Sequence, residues 1–139
     1  MFLLDTNVIS ELRKAPFGKA NPNVVRWASA RAVTDFYLSV VSMLELEHGV
    51  LLMERKDGRQ GLALRQWLEG RVKSGFTERI LPIDTEVAVC AARLHVPDPK
   101  PDRDALIAAT AIVHGLTVVT HNLKDFSAMP VPVIDPWQN

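Results

Sequence analysis

Cysteine is almost missing: Cys90 is the only one in 139 residues. A lone thiol excludes an intramolecular disulfide and every paired-cysteine zinc or redox site, and it suits a reducing compartment. Long apolar runs are missing too. Stretches such as Val50-Leu51-Leu52-Met53 fall far short of the ~20 residues needed to cross a bilayer, so no membrane association is expected. Met1-Phe2-Leu3-Leu4 runs straight into Asp5, without the basic and apolar regions of an export signal, and a cytoplasmic location is expected. There is no net charge either. Sixteen basic residues balance sixteen acidic ones, which argues against a basic coat over the whole surface. Internal repeats and linker-like stretches are absent, so a single domain spanning 1–139 is expected.

What is present is an ordinary globular balance, 47% hydrophobic and 23% charged, with the charge unevenly spread. Residues 54–79 carry seven basic against four acidic side chains, and residues 80–139 carry four against seven. Phe2-Leu3-Leu4 reads as a strand that ends at a carboxylate, and Asp5-Thr6-Asn7 supplies cap chemistry for a helix from Val8 to Lys14. After a loop marked by Pro16, Gly18 and Pro22, a short helix places Val24, Val25, Trp27 and Ala28 on one face. Phe36 to Val40 predicts a buried strand, and Ser42 opens an amphipathic helix that runs to about Lys56 and breaks at Asp57-Gly58. Leu62 to Val72 predicts a basic helix, Arg79 to Ile83 a strand, and Asp84 the cap of a helix reaching Leu94. Ala105 to His114 is an alanine-rich helix stopped by Gly115, followed by a strand over Leu116 to Thr120. Val131 to Ile134 suits an edge strand because Pro132 cannot donate to a ladder. The alternation of apolar strands and helices predicts an α/β fold with a mainly parallel sheet of four or five strands, covered on both faces.

Sites on such sheets collect outside the carboxyl ends of the strands. Four acids are expected there: Asp5 after the first strand, Glu45 one turn into the helix after the second, Asp104 at the start of the alanine-rich helix, and Asp125 after Thr117 to Thr120. Each has a purely structural alternative. Asp5 and Asp104 suit a helix N-terminus, Glu45 suits a capping box with Ser42, and Asp125 suits a turn. Four carboxylates gathered without cations repel one another, and a divalent metal resolves the repulsion. Oxygen donors alone select Mg²⁺ or Mn²⁺ over zinc. The four histidines show no paired metal spacing, and only His121 falls near the acids.

Leu3-Leu4-Asp5-Thr6-Asn7-Val8, Ser42 to Glu45 with Gly49 beyond, Asp104 to Ala111, and Thr120-His121-Asn122-Leu123-Lys124-Asp125-Phe126 resemble the successive motifs of PIN-domain proteins. More narrowly they resemble the VapC and FitB toxins of type II toxin-antitoxin pairs, and Pro136-Trp137 resembles that group's C-terminus. The resemblance covers essentially the whole chain. It implies a PIN-like three-layer sandwich and a metal-dependent endoribonuclease neutralised by a cognate antitoxin, present as a homodimer or a toxin-antitoxin hetero-oligomer. Asp5, Glu45, Asp104 and Asp125 correspond to the family's acidic quartet. One departure is the local pattern Asp102-Arg103-Asp104, which permits a shared ligand or a local ion pair. A haloacid-dehalogenase-like phosphatase also begins with a strand and an Asp, but it needs a second Asp where Asn7 stands.

Phosphodiester hydrolysis needs an activated water, neutralised transition-state charge and help for the leaving oxygen, all of which one or two Mg²⁺ or Mn²⁺ ions can supply. Asp5 and Asp104 are the expected central ligands, with Glu45 and Asp125 binding directly or through water. Thr6, Asn7, Thr120 and Asn122 are expected to hydrogen-bond those carboxylates or the substrate. Arg55, Lys56, Arg59, Arg65, Arg71 and Lys73 are candidate contacts to RNA, against the alternative of a solvated face with internal ion pairs. The leucine- and isoleucine-rich helices containing Ile9-Leu12 and Leu44-Leu52 predict an apolar groove for a partner helix.

Overall fold

In β1 (Phe2–Leu4) the two leucines leave the sheet on opposite sides: Leu3 joins a cluster with Ile107, Ala108 and Val118, and Leu4 joins one with Val8, Leu38 and Val119. A two-residue period with both faces apolar is what a strand in the middle of a parallel sheet requires. The computed structural model describes residues 1–138. Its strands β1, β2 (Phe36–Ser39), β3 (Ile80–Leu81), β4 (Thr117–Val119) and β5 (Val133–Ile134) form one five-stranded sheet in the order β3-β2-β1-β4-β5. Every neighbouring pair is parallel. Pro132 stands just outside edge strand β5, where its carbonyl accepts from the Val118 N–H and its missing donor is not needed.

One face is covered by α1 (Thr6–Leu12), α2 (Pro22–Ser29), α3 (Val40–Lys56) and α4 (Gly58–Trp67), whose Ile9, Trp27, Leu46 and Val50 meet Leu4 and Phe36. The other face carries α5 (Thr85–Leu94), α6 (Asp102–His114) and the short α7 (Leu123–Phe126), with Phe126 fully buried. Burying such a phenylalanine stabilises the fold by about 2–3 kcal/mol. Trp27 stacks on Phe36 and meets Phe2 edge-on, so it is a packing residue. Among the described residues no helix is long and apolar enough to cross a membrane.

Several boundaries differ from the sequence expectation. Helix α3 starts at Val40, not after Ser42, because the extended Ser39 turns its hydroxyl onto the Val41 N–H at 3.0 Å. Ser42 is then a buried helix residue whose Oγ finds no partner among the described residues, which removes the capping-box account of Glu45. Helix α4 begins as soon as α3 ends, since Asp57 caps it by accepting from the Arg59 and Gln60 N–H groups, and it passes into a π-helical stretch at Leu68–Lys73. Gly115 ends α6 in the left-handed conformation at φ 66°, as expected.

Strand order places β2 and β4 on opposite sides of β1, so the connections diverge at the β1/β4 boundary. The crevice beyond the carboxyl ends of those two strands is where an open α/β sheet forms its site.

Candidate active site

Asp5 follows directly on β1. Its N–H still pairs with the Val119 carbonyl at 2.9 Å, while its Oδ1 accepts from the Thr6 N–H at 2.8 Å and caps α1. The sequence leaves the cap open among Asp5, Thr6 and Asn7. The extended backbone of Asp5 assigns it to Asp5 and leaves its two neighbours free for longer-range contacts. The Thr6 hydroxyl donates to Oε1 of Glu45 at 2.7 Å, and the Asn7 amide reaches Oδ2 of Asp5 at 3.3 Å and Oγ1 of Thr120 at 3.2 Å. Thr120, just past β4, donates to Oδ2 of Asp5 at 2.8 Å and accepts from the Asn122 N–H at 3.0 Å. The His121 N–H completes the circuit on Oδ1 of Asn7 at 3.2 Å. The chain ends after β1 and β4 are thereby locked to each other and to α3.

Electrostatics draws in the remaining acids. Asp5 is 6% exposed, and burial pushes its carboxyl above the usual range despite the bonds from Thr120 and Thr6, with the charges of Glu45 and Asp125 adding to the rise. Asp104, in the first turn of α6, is pushed up to about 6 by desolvation first and then by Asp5, Asp125 and Glu45. Asp5, Glu45 and Asp104 line one cleft of about 740 Å³, together with Thr6, Asn7, His121 and Asn122. Asp125 does not line it. It is exposed on α7 and is felt at Asp5 and Asp104 through its charge. Asp102 stands apart, 92% exposed and 3.5 Å from Nε2 of His95, while Arg103 turns back to Oε2 of Glu45 at 3.5 Å.

A PIN domain model matches residues 2–131. The chain belongs to the PIN-domain family. It is 39% identical over 145 residues to the protein named Toxin FitB of Neisseria gonorrhoeae, covering all of both chains. It is 34% identical to the VapC ribonuclease Y4jK of Sinorhizobium fredii, covering 99% of each. Its fold superposes on the crystal structure of FitAcB from Neisseria gonorrhoeae with a TM-score of 0.91 at 37% identity, over the full length of both chains.

The donor chemistry of this PIN domain suits a hard divalent cation. Burial first, and neighbouring carboxylates after it, raise the proton affinity of both Asp5 and Asp104, and a bound cation would offset both effects. Among the described residues no three His, Cys, Asp or Glu side chains close around one point as a preformed cage. An open set of that kind fits Mg²⁺, which keeps several waters and takes one or two carboxylates, better than it fits zinc.

The basic stretch of the PIN domain divides. Arg65 sits among three carboxylates, 2.6 Å from Glu47, 3.1 Å from Glu54 and 3.3 Å from Glu69, and Lys73 pairs with Glu69 at 2.8 Å. Internal ion pairs therefore account for these two. Arg55, Lys56, Arg59 and Arg71 are exposed, and Arg55 lies ten residues beyond Glu45, about 15 Å further along α3.

Sequence reasoning missed Ser10, Arg13 and Trp137, which also line the cleft. Thr6, Ser10 and Arg13 recur at steps of four and three from the start of α1 to its C-cap, a periodicity that points down the same helix face as the first acid motif. Trp137 stacks on His121 with ring centroids 4.2 Å apart, a contact between α7's approach and the C-terminal segment that no local pattern announces.

Proposed function

We propose that this protein is a metal-dependent endoribonuclease that acts as the toxin of a type II toxin-antitoxin pair. The observation that carries the reading is the pair Asp5 and Asp104, facing one cleft with raised pKa values and flanked by the charges of Glu45 and Asp125. Such a pair is costly to the fold and useful to a cation. The full-length likeness to a ribonuclease and to a toxin supports the same conclusion.

Asp5 and Asp104 would hold Mg²⁺ or Mn²⁺, one or two ions per site, with Glu45 and Asp125 acting directly or through water. When bound, the metal supplies water activation and charge neutralisation at the scissile phosphate. The protein's own part is positional. Thr120 and Thr6 hold Asp5 from both sides, Thr6 also fixes Glu45, and Asn7 ties the Asp5 end to the His121 loop. Fixed carboxylates avoid reorganisation as charge develops on the phosphate. Asn122, exposed at the rim of the cleft, is placed to meet the substrate, and Arg71 remains among the exposed cations that would guide RNA toward it.

The antitoxin's place would be an apolar groove beside α1, the helix on which the sequence also puts one wall of it. Ile9, Leu46 and Val50 pack into the core, whereas Leu44, Leu51 and Leu52 of α3 stay exposed. A hollow of about 480 Å³ between α1 and α4 is lined by Leu12, Phe17, Ala63 and Trp67 with Arg13 and Arg71 beside them, and Phe17 is 70% exposed. A partner helix seated there would form the expected hetero-oligomer.

Asp5→Asn and Asp104→Asn proteins are expected to lose RNA cleavage in Mg²⁺ by a factor of 100 or more while remaining folded. Wild-type cleavage rates in both variants, free of contaminating nuclease, would overturn the reading.

A further inference from the structure

Gly49 sits inside α3, one turn beyond Glu45, where glycine weakens a helix. Nothing in the fold demands it: a Cβ built at Gly49 meets no atom within 4 Å. Gly49 lines a hollow of about 220 Å³ between α1, α3 and α4, floored by Leu46, Val50, Leu64 and Trp67. Thr6, Ser10, Arg13 and Glu45 line both this hollow and the acidic cleft, so the two spaces are continuous.

Arg13 stands at their junction. Lys14, its neighbour in the cleft, pairs with Glu11 at 2.8 Å, and Arg103 turns to Glu45. Arg13 makes no ion pair among the described residues; its guanidinium lies 5.9 Å from the centroid of the Trp67 ring. An uncommitted cation beside an aromatic and aliphatic floor, one step from a phosphate-cleaving centre, matches the two halves of a nucleotide.

We propose that this hollow is the subsite for the nucleotide next to the scissile phosphate, its base resting on Trp67 and the aliphatic floor and its phosphate held by Arg13. The proposal rests on the ribonuclease reading and specifies where that substrate lies. A base resting in this hollow has left a duplex stack, so the subsite calls for unpaired RNA.

The test uses the full-length protein in Mg²⁺ and a single-stranded oligoribonucleotide that it cuts at one mapped position. Gly49→Leu, which adds a bulky side chain to the wall of the hollow, should lower kcat/KM at least tenfold, mainly through KM, with Gly49→Ala intermediate and neither variant melting below wild type. An abasic ribose beside the cut should cost the wild-type protein about tenfold and Gly49→Leu less than twofold. Arg13→Gln should reduce the slope of log Kd for the same RNA against log salt by about 0.7, the share of one single-strand phosphate. Unchanged kcat/KM in Gly49→Leu, or an abasic penalty that survives in it, would overturn the subsite, and loss of antitoxin binding alone would assign the hollow to the protein partner. No cleavage of any RNA by wild-type protein would instead remove the ribonuclease reading itself.

Discussion

The hydroxyl of Thr120 donates a 2.8 Å hydrogen bond to Oδ2 of Asp5, joining residues 115 positions apart at the ends of the two strands between which the chain changes direction. The bond is buried and lowers the proton affinity that burial raises in Asp5. Thr120→Val keeps the shape and removes the donor. Divalent-metal affinity, measured by calorimetric titration with Mn²⁺, is expected to fall about tenfold, as for other residues that orient a ligating carboxylate. Thr120→Ser should recover most of it, and full affinity in the valine variant would refute the orienting role.

Asp104 makes the metal-free protein sensitive to pH. Its pKa of about 6 in the folded state exceeds that of an unfolded aspartate, so the native state binds more protons between about pH 4 and 6. Stability from this group is therefore greatest at low pH and is lost as pH rises through about 6. With chelator present, Asp104→Asn should melt above wild type at pH 7.5, and the gap should close toward pH 4.5. Asp104 is half-exposed, so screening limits the effect to about 1 kcal/mol, or about 3 °C. Thermal scans showing the reverse trend would count against burial and neighbouring charge as the source of the raised pKa.

Arg65 serves α3 and α4. Its hydrogen bonds to Glu47 and Glu54 connect the two helices, and Glu69 completes the cluster. Arg65→Gln should lower the melting temperature, more at 20 mM than at 500 mM salt, while RNA affinity changes less than twofold. A large loss of RNA affinity would show that Arg65 retains charge for substrate.

Ser42 carries a buried hydroxyl without a partner. Ser42→Ala removes that polar group from the interface around α3 and is expected to stabilise the protein by up to about 1 kcal/mol, read from urea unfolding. Destabilisation by a similar amount would imply a hydrogen bond to Ser42.

The sequence by itself determined the strand–helix alternation and which acids would be candidates, because both are local. Apolar strand runs, cap residues such as Asp84 and the stop at Gly115 act within a few positions and need no distant partner. The motifs around Asp5, Glu45, Asp104 and Asp125 were legible for the same reason. Only the tertiary structure decided that Asp5 is both cap and cleft carboxylate, that Asp102 turns to His95, and that Arg65 is spent on glutamates while Arg13 is not. Each of those outcomes depends on which side chain a neighbouring element brings within hydrogen-bonding or ion-pairing reach. The sheet order β3-β2-β1-β4-β5 sets those neighbours, through contacts between residues a hundred positions apart that no helical or strand period encodes.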